Sequence, residues 1–335
     1  MSSFFSKFND LNVLIIGDVM IDRYINGHVS RISPEAPVPV LEWRDTDNRL
    51  GGAANVALNI KSLGANPILF GVIGDNEDGE IFKNLLDNAN IDNQYIVTEE
   101  NRPTTVKTRM MASGQQLLRL DQETTVDINE NTSNLILNKI RQYLDNQRID
   151  VLIFQDYNKG LLTEELIKTV IRISHKYNIP TCVDPKKKNF GAYKEVTLFK
   201  PNLKEIREAM NQTVNVTKEN LEKAADFIHS KLNNKIVFIT LSENGVFVEQ
   251  NEKGDIYPTQ PRTIADVCGA GDSVISVIAL ALALKLPNEK LALLANLAGG
   301  LVCEEVGVVP INKEKLEKEY EIWSRSEERR VGKEC

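Results

Sequence analysis

The segment Asp266-Val-Cys-Gly-Ala-Gly-Asp272-Ser273 stands directly before a long run of small and apolar residues, Val274 to Leu286. Two glycines and an alanine leave successive backbone N–H groups uncovered at what reads as a helix N-terminus. Such a place holds anionic oxygens, because first-turn donors lack an internal partner and the helix dipole adds to them. An aspartate at its rim is a poor phosphate ligand but a sensible base for a hydroxyl attacking that phosphate. Gly269, Ala270 and Gly271 are therefore expected to form an anion hole, with Asp272 as the base. Taken alone, Gly-x-Gly-Asp suits an ordinary helix-capping aspartate equally well, worth about 0.5–2 kcal/mol. That alternative leaves the two glycines unexplained, since they expose backbone at a conformational cost.

Outward from this segment, short unalternated apolar runs recur at 13–16, 67–72, 151–154, 180–183, 197–199 and 236–240. Such runs suit parallel strands covered on both faces. Helical patterns lie between them, near 53–64, 77–89, 132–146, 163–177, 203–211, 218–232, 272–285 and 288–303. The alternation predicts a three-layer α/β/α sandwich with a central, mostly parallel sheet. Two stretches break the rhythm. Residues 22–43 contain three prolines, which forbid a central strand but permit an edge or an irregular arm. Residues 103–121 read as two strands around a turn near Ser113-Gly114. Together they predict a small antiparallel β lid, which needs a cover: closure over a ligand or a second subunit. Residues 316–335 read as a charged, solvated terminal helix or tail that frays, and 1–335 as one domain.

The chain has 335 residues, 42% of them hydrophobic, and a formal net charge of -7. Bulk attraction to nucleic acid or to an anionic membrane is not expected at that charge, although a local basic pocket is compatible with it. The apolar run 274–286 is too short for a membrane span, and residues 1–12 are too short and polar for a signal peptide. Cys182, Cys268, Cys303 and Cys335 show no metal-binding spacing and read as reduced thiols in a cytoplasmic protein. His28, His175 and His229 form no ligand cluster, and the last two read as surface residues on helices.

Further polar groups sit where strands end, the usual ligand side of an open α/β sheet. Asp18 and Asp22 follow the first strand and could bind sugar hydroxyls. Gly51, Gly52 and Asn55 open a helix, so a polyol could approach the backbone there; a tight turn explains the same residues without a ligand. Asp156 and Lys159 follow strand 151–154, and Asp184 and Lys186 follow strand 180–183. Asn202 and Glu205 suit either a capping box or a water-mediated Mg²⁺ site. The P-loop, dinucleotide and protein-kinase signatures are absent.

With these residues in view, the chain resembles the ribokinase-like (PfkB-type) carbohydrate kinases. The resemblance runs from about Asn12 to about Lys318 and rests on Gly51-Gly-Ala-Ala-Asn55 and on the segment 266–272. The blocks 17–24, 30–40 and 115–121, with 156–160 and 184–186, resemble the branch acting on D-glycero-β-D-manno-heptose 7-phosphate. The resemblance implies ATP and Mg²⁺ as cofactors and substrate contacts from Asp18, Gly51, Gly52 and Asn55, with Asp272 as base. It implies metal-linked roles for Asn202 and Glu205, and Ser242, Gly245 and Asn296 beside the adenosine. Phosphoryl transfer to the anomeric hydroxyl would give the 1,7-bisphosphate, a precursor of nucleotide-activated heptose in lipopolysaccharide synthesis. Another sugar or sugar phosphate is the alternative substrate, and an inactive sugar- or nucleotide-binding regulator the alternative class. Lys107, Arg109, Arg119, Lys159 and Lys186 are the cations available for the 7-phosphate. The resemblance also implies a homodimer joined through the lid. The family's usual threonines are replaced by Cys268 and Ser273, which removes neither the base nor a backbone donor. The chain shows no nucleotidyltransferase His-x-Gly-His motif, so a monofunctional kinase is expected, with a separate nucleotidyltransferase.

Overall fold

The computed structural model describes residues 4–331, with side chains as far as Ser324. Its strands are β1 Asn12–Gly17, β2 Val19–Ile32, β3 Pro39–Gly52, β4 Asn66–Gly74, β5 Ile96–Glu99, β6 Val106–Ala112, β7 Gln115–Gln122, β8 Val151–Gln155, β9 Thr181–Asp184, β10 Leu198–Phe199, β11 Ile236–Thr240, β12 Val246–Gln250 and β13 Lys253–Tyr257. Its helices are α1 Ala53–Ser62, α2 Glu77–Asn88, α3 Glu130–Asn146, α4 Glu164–Lys176, α5 Leu203–Met210, α6 Lys218–Leu232, α7 Ala270–Ala283, α8 Asn288–Cys303 and α9 Lys313–Val331.

The main sheet runs β13-β12-β11-β10-β9-β8-β1-β4-β5, and only β12 opposes the common direction. β1 lies inside it, with Val13 opposite Pro67 on one side and Val151 on the other. Its alternate residues enter different cores. Val13 and Ile15 pack with residues of α1, α7 and α8, while Leu14 and Ile16 pack with residues of α3, α4 and α6. This explains the unbroken apolar runs, because both faces of each strand are covered. α7 is buried on every side from Val274 to Ala281, which fits its uniformly small and apolar sequence. β5, β12 and β13 are additions to the expected strands. No helix among the described residues is long and apolar enough to cross a membrane.

The second sheet runs β3-β2-β6-β7. It is mixed rather than antiparallel, because β2 and β6 run parallel from Ile21↔Val106 to Gly27↔Ala112. Of the two alternatives for residues 22–43, an edge strand or an irregular arm, the edge strand holds: the stretch lies in two 14-residue strands, and β3 is an edge of the sheet. Pro34 and Pro37 lie in the connection between them and Pro39 begins β3, so none interrupts a strand interior. Ser113 and Gly114 form the expected turn with φ of 47° and 78°, the left-handed pair that a tight hairpin requires.

The charged C-terminal segment is a helix whose start is anchored: Leu316 is buried, and the rings of Phe4 and Tyr320 meet edge to face at 5.0 Å. Residues 332–335, including Cys335, lie outside the described residues. His229 is not a plain surface residue. One ring nitrogen pairs with the buried Glu249 and the other contacts the Asn234 carbonyl.

Candidate active site

Gly269 takes φ 80° as the residue preceding α7, a conformation that favours glycine. Asp266 braces this loop by accepting from the N–H of Cys268 and of Gly307, each at 3.0 Å. A Cβ on Gly271 would have only Asp184 nearby, at 3.7 Å, so the space above the helix start stays open. Asp272, by contrast, is buried on the inner side of the first turn.

Three donors converge on Asp272. Asn55 donates to Oδ2 at 2.7 Å, while Gln155 at 2.9 Å and the Tyr157 hydroxyl at 2.7 Å donate to Oδ1. Burial pushes the Asp272 carboxyl up to about 7, against the lowering effect of the bonds from Tyr157 and Asn55. Asn55 is fully buried and is fixed in turn by Asn59. Ser273 donates to the Asn59 amide oxygen, so its hydroxyl serves packing between α1 and α7. Burial and the adjacent Asp266 raise the Cys268 thiol to about 11, which keeps it unreactive.

Asp18 accepts from the N–H groups of Tyr157, Lys159 and Leu161 at 2.9, 3.0 and 3.2 Å. Three of its lone-pair directions hold the loop after β8, which leaves one for the expected substrate contact. Burial raises its pKa despite these amides. Asp156 points the other way, accepting from Tyr193, Asn189 and the Asn158 N–H, and burial raises it to about 6. Gly51 and Gly52 have internal reasons to be glycine. A Cβ on them would stand 2.2 Å from an Asp22 carboxylate oxygen and 2.4 Å from the Asp18 carbonyl. Asp22 pairs with Arg109, which lies over the Tyr24 ring.

Asn202 and Glu205 form a closed capping box, each side chain accepting the other's backbone N–H at 2.9 Å. The remaining Glu205 oxygen pairs with Lys186. With its donors engaged in this way, the pair does not fit a direct Mg²⁺ site, and no cluster of three or more His, Cys, Asp or Glu suited to a metal occurs among the described residues. The capping box accounts for these two residues without a metal, and the expected water-mediated role is left to the Mg²⁺ titration.

Of the five cations considered for a phosphate, two converge. Lys107 and Lys159 reach the same Glu123 carboxylate at 3.1 and 2.7 Å. Arg119 forms a two-point pair with Asp121 on the outer lid, while Arg109 and Lys186 are held by Asp22 and Glu205. Gly245 and Asn296 meet at one carbonyl: a Cβ on Gly245 would stand 2.1 Å from Tyr257 O, to which Asn296 donates at 3.0 Å. Ser242 is exposed in the same turn and accepts from the Gly245 N–H.

Three important side chains were not anticipated. Gln155 and Tyr157 touch the base, and Lys200, 3% exposed, pairs with Asp184 at 3.1 Å. Each lies at or just past the carboxyl end of a parallel strand, and that rule applied strand by strand would have found them.

The nine-stranded sheet is covered on both faces, and at its strand ends an open helix start lies beside a buried carboxylate, an arrangement suited to phosphoryl transfer. Residues 10–315 match the pfkB family carbohydrate kinases, and the chain belongs to that family. Its fold is ribokinase-like. It is 36% identical over 317 residues to the bifunctional protein HldE of Syntrophotalea carbinolica, covering 94% of this chain and 64% of that one. Against HldE of Sulfurimonas denitrificans the identity is 39% over 309 residues, covering 92% and 64%. The chain thus spans just under two thirds of the length of these relatives. In fold it is similar to phosphofructokinase-2 from Escherichia coli in complex with potassium, with a TM-score of 0.77 at 22% identity over 94% of this chain and 99% of that one. Arabidopsis thaliana ribokinase complexed with ribose and ATP gives 0.69 at 17% identity over 92% and 98%.

Proposed function

We propose that this kinase moves the γ-phosphoryl group of ATP to the anomeric hydroxyl of D-glycero-D-manno-heptose 7-phosphate, giving the 1,7-bisphosphate. The observation that carries the reading is the convergence of Lys107 and Lys159 on Glu123. Lys107 also pairs with Asp121 at 3.3 Å, so a substrate phosphate taking this place would displace these carboxylates from the two lysines. The loop carrying Lys159 also carries Tyr157, whose hydroxyl touches Asp272, and one Asp18 oxygen binds both backbone amides. A phosphate seat and a base, joined by one short loop, suit a sugar with a phosphate at one end and the reacting hydroxyl at the other. The sequence blocks resembling heptose 7-phosphate kinases and the HldE relatives support the heptose.

In this mechanism Asp272 accepts the hydroxyl proton as attack develops. The open first turn of α7 stabilises charge on the transferring group, so positioning and electrostatics supply most of the catalysis. Gly245, Ser242 and Asn296 border the adenosine side. The protein works as one kinase unit in the cytoplasm, upstream of a nucleotidyl transfer to the sugar 1-phosphate. Two copies join through their lids, supported by the exposed Ile32, Val38, Trp43, Leu118 and Leu120.

A substrate panel with ATP and Mg²⁺, the product identified by phosphorus NMR, tests the assignment. Heptose 7-phosphate should far exceed ribose, fructose 6-phosphate and unphosphorylated heptose in kcat/KM. Equal or better turnover of any of these defeats it.

A further inference from the structure

The two oxygens of Asp272 are not equivalent. An ionised carboxylate oxygen offers two lone-pair directions. Oδ1 has both filled, by the Tyr157 hydroxyl at 2.7 Å and the Gln155 amide at 2.9 Å. Oδ2 receives only Asn55, at 2.7 Å, and keeps one direction open. Asn55, the partner of Oδ2, also borders the anion loop: its Nδ2 lies 3.1 Å from where a Cβ on Gly269 would stand.

Resting on the assignment of Asp272 as base, we propose that Tyr157 is its positioning residue: the Tyr157 hydroxyl, with the Gln155 amide, locks Oδ1 so that Oδ2 receives the proton of the acceptor hydroxyl. The tyrosine is built for this. Its N–H is anchored on Asp18 at 2.9 Å, and Lys186 Nζ lies 5.7 Å over its ring. Burial beside Asp272 holds the phenol well above its ordinary range, so it remains a donor across the working pH. Gln155 is oriented by its acidic neighbours. Its Nε2 faces Asp272 at 2.9 Å and Asp184 at 3.4 Å, whereas its buried Oε1 has no partner. Reversing the amide would set an oxygen against two carboxylates, so the donor orientation holds even with the acceptor end unsatisfied.

The charged groups around the base separate this role from a general field effect. Asp184, at the end of β9, raises the Asp272 pKa, and Lys200, just past β10, lowers it. Lys186 is held by Glu205 behind the Tyr157 ring, while α1 presents only the neutral Asn55. Tyr157 is therefore a neutral donor whose removal changes the hydrogen bonding of the carboxylate without changing the charge of the site.

Tyr157→Phe keeps the ring and deletes the donor. The measurement is kcat/KM against pH from 5.5 to 9.5, with ATP and the sugar turned over fastest in the substrate panel. The acid limb should move up by about one pH unit, because a lost hydrogen bond disfavours the ionised base. The loss should therefore be about 10-fold below the limb and much smaller on the alkaline plateau. An unmoved limb, or an equal loss at every pH, overturns the proposal. Gln155→Met, read the same way, should move the limb in the same direction and supplies the test if the tyrosine variant folds poorly. Asp272→Asn separates the two readings. If it retains turnover, the base assignment fails. If it is inactive while neither positioning variant moves the limb, only the role of Tyr157 fails.

Discussion

The strand-end floor around Asp272 and the lid formed by β2, β3, β6 and β7 solve opposite problems. On the floor, Asp18, Asn55, Gln155, Asp184, Lys200 and Asp272 are buried polar groups tied to one another or to backbone. Each bond there offsets a desolvation cost, so loss of one partner leaves a neighbour stranded. On the lid, Trp43 is 68% exposed and Leu118 56%, apolar surface with nothing over it in one chain. A change on the floor should strike chemistry directly, whereas a change on the lid should act through association and substrate closure.

The sharpest way to break that contrast is Asp272→Asn. It should lower kcat by roughly 10²–10⁴-fold while nucleotide affinity changes little, because proton acceptance is lost and the anion loop is kept. Near-normal turnover would remove Asp272 as the base. The parent protein should also show an acid limb in kcat/KM near pH 7, where burial has placed this carboxyl. Stability supplies an independent check of sign. A carboxyl raised from 3.8 to about 7 on folding contributes stability that is complete below pH 4 and lost as pH rises through 7. The melting temperature of the asparagine variant relative to the parent should therefore climb between about pH 4 and 7 and level off above that.

The floor was legible in the sequence because its backbone demands particular residues. Gly269 at φ 80° and the glycines at 51 and 52 can hardly be anything else, so they mark the site without an alignment. The partners of Asp272 were less visible. Gln155 and Tyr157 are ordinary residues until the parallel register of β8 with β1 sets them beside the start of α7. Asn202 and Glu205 fitted two readings at one spacing, and only the geometry of the box separated them. In the lid, alternation and turn residues showed that strands exist but not how they pair. The parallel β2–β6 contact joins segments more than 80 residues apart, beyond the reach of any local pattern. β12 and β13 were not expected in the body, although Gly245 precedes β12 and the Asn251-Glu252 turn separates it from β13, all three at positive φ.

Val38 and Val40 offer the corresponding test of the lid. Replacing both by Asp should weaken self-association by placing unpaired charge in the contact, and should raise KM if the lid also covers the sugar. Val38 is 51% exposed and Val40 half-buried in the single chain, so the fold should tolerate the change. Analytical ultracentrifugation at micromolar concentration decides the matter. A monomeric boundary for the unmodified protein would defeat the dimer and leave the lid as a flap over the site.

The smallest expected effects belong to the capping box, which tests whether the floor extends as far as α5. Asn202→Ala removes the side chain that accepts the Glu205 N–H, and should cost about 1 kcal/mol of stability, the usual worth of a cap. Glu205→Gln should cost less, because glutamine can still accept the Asn202 N–H and loses only the ion pair with Lys186. That pair is weakly favourable at best, since burial and the nearby Asp184 already raise the Glu205 pKa against the pull of Lys186. Neither variant should change the Mg²⁺ concentration giving half-maximal rate, because their oxygens are engaged within the protein. A Mg²⁺ requirement raised several-fold in Glu205→Gln, with an unchanged melting temperature, would return this pair to the metal and place the edge of the catalytic floor at α5.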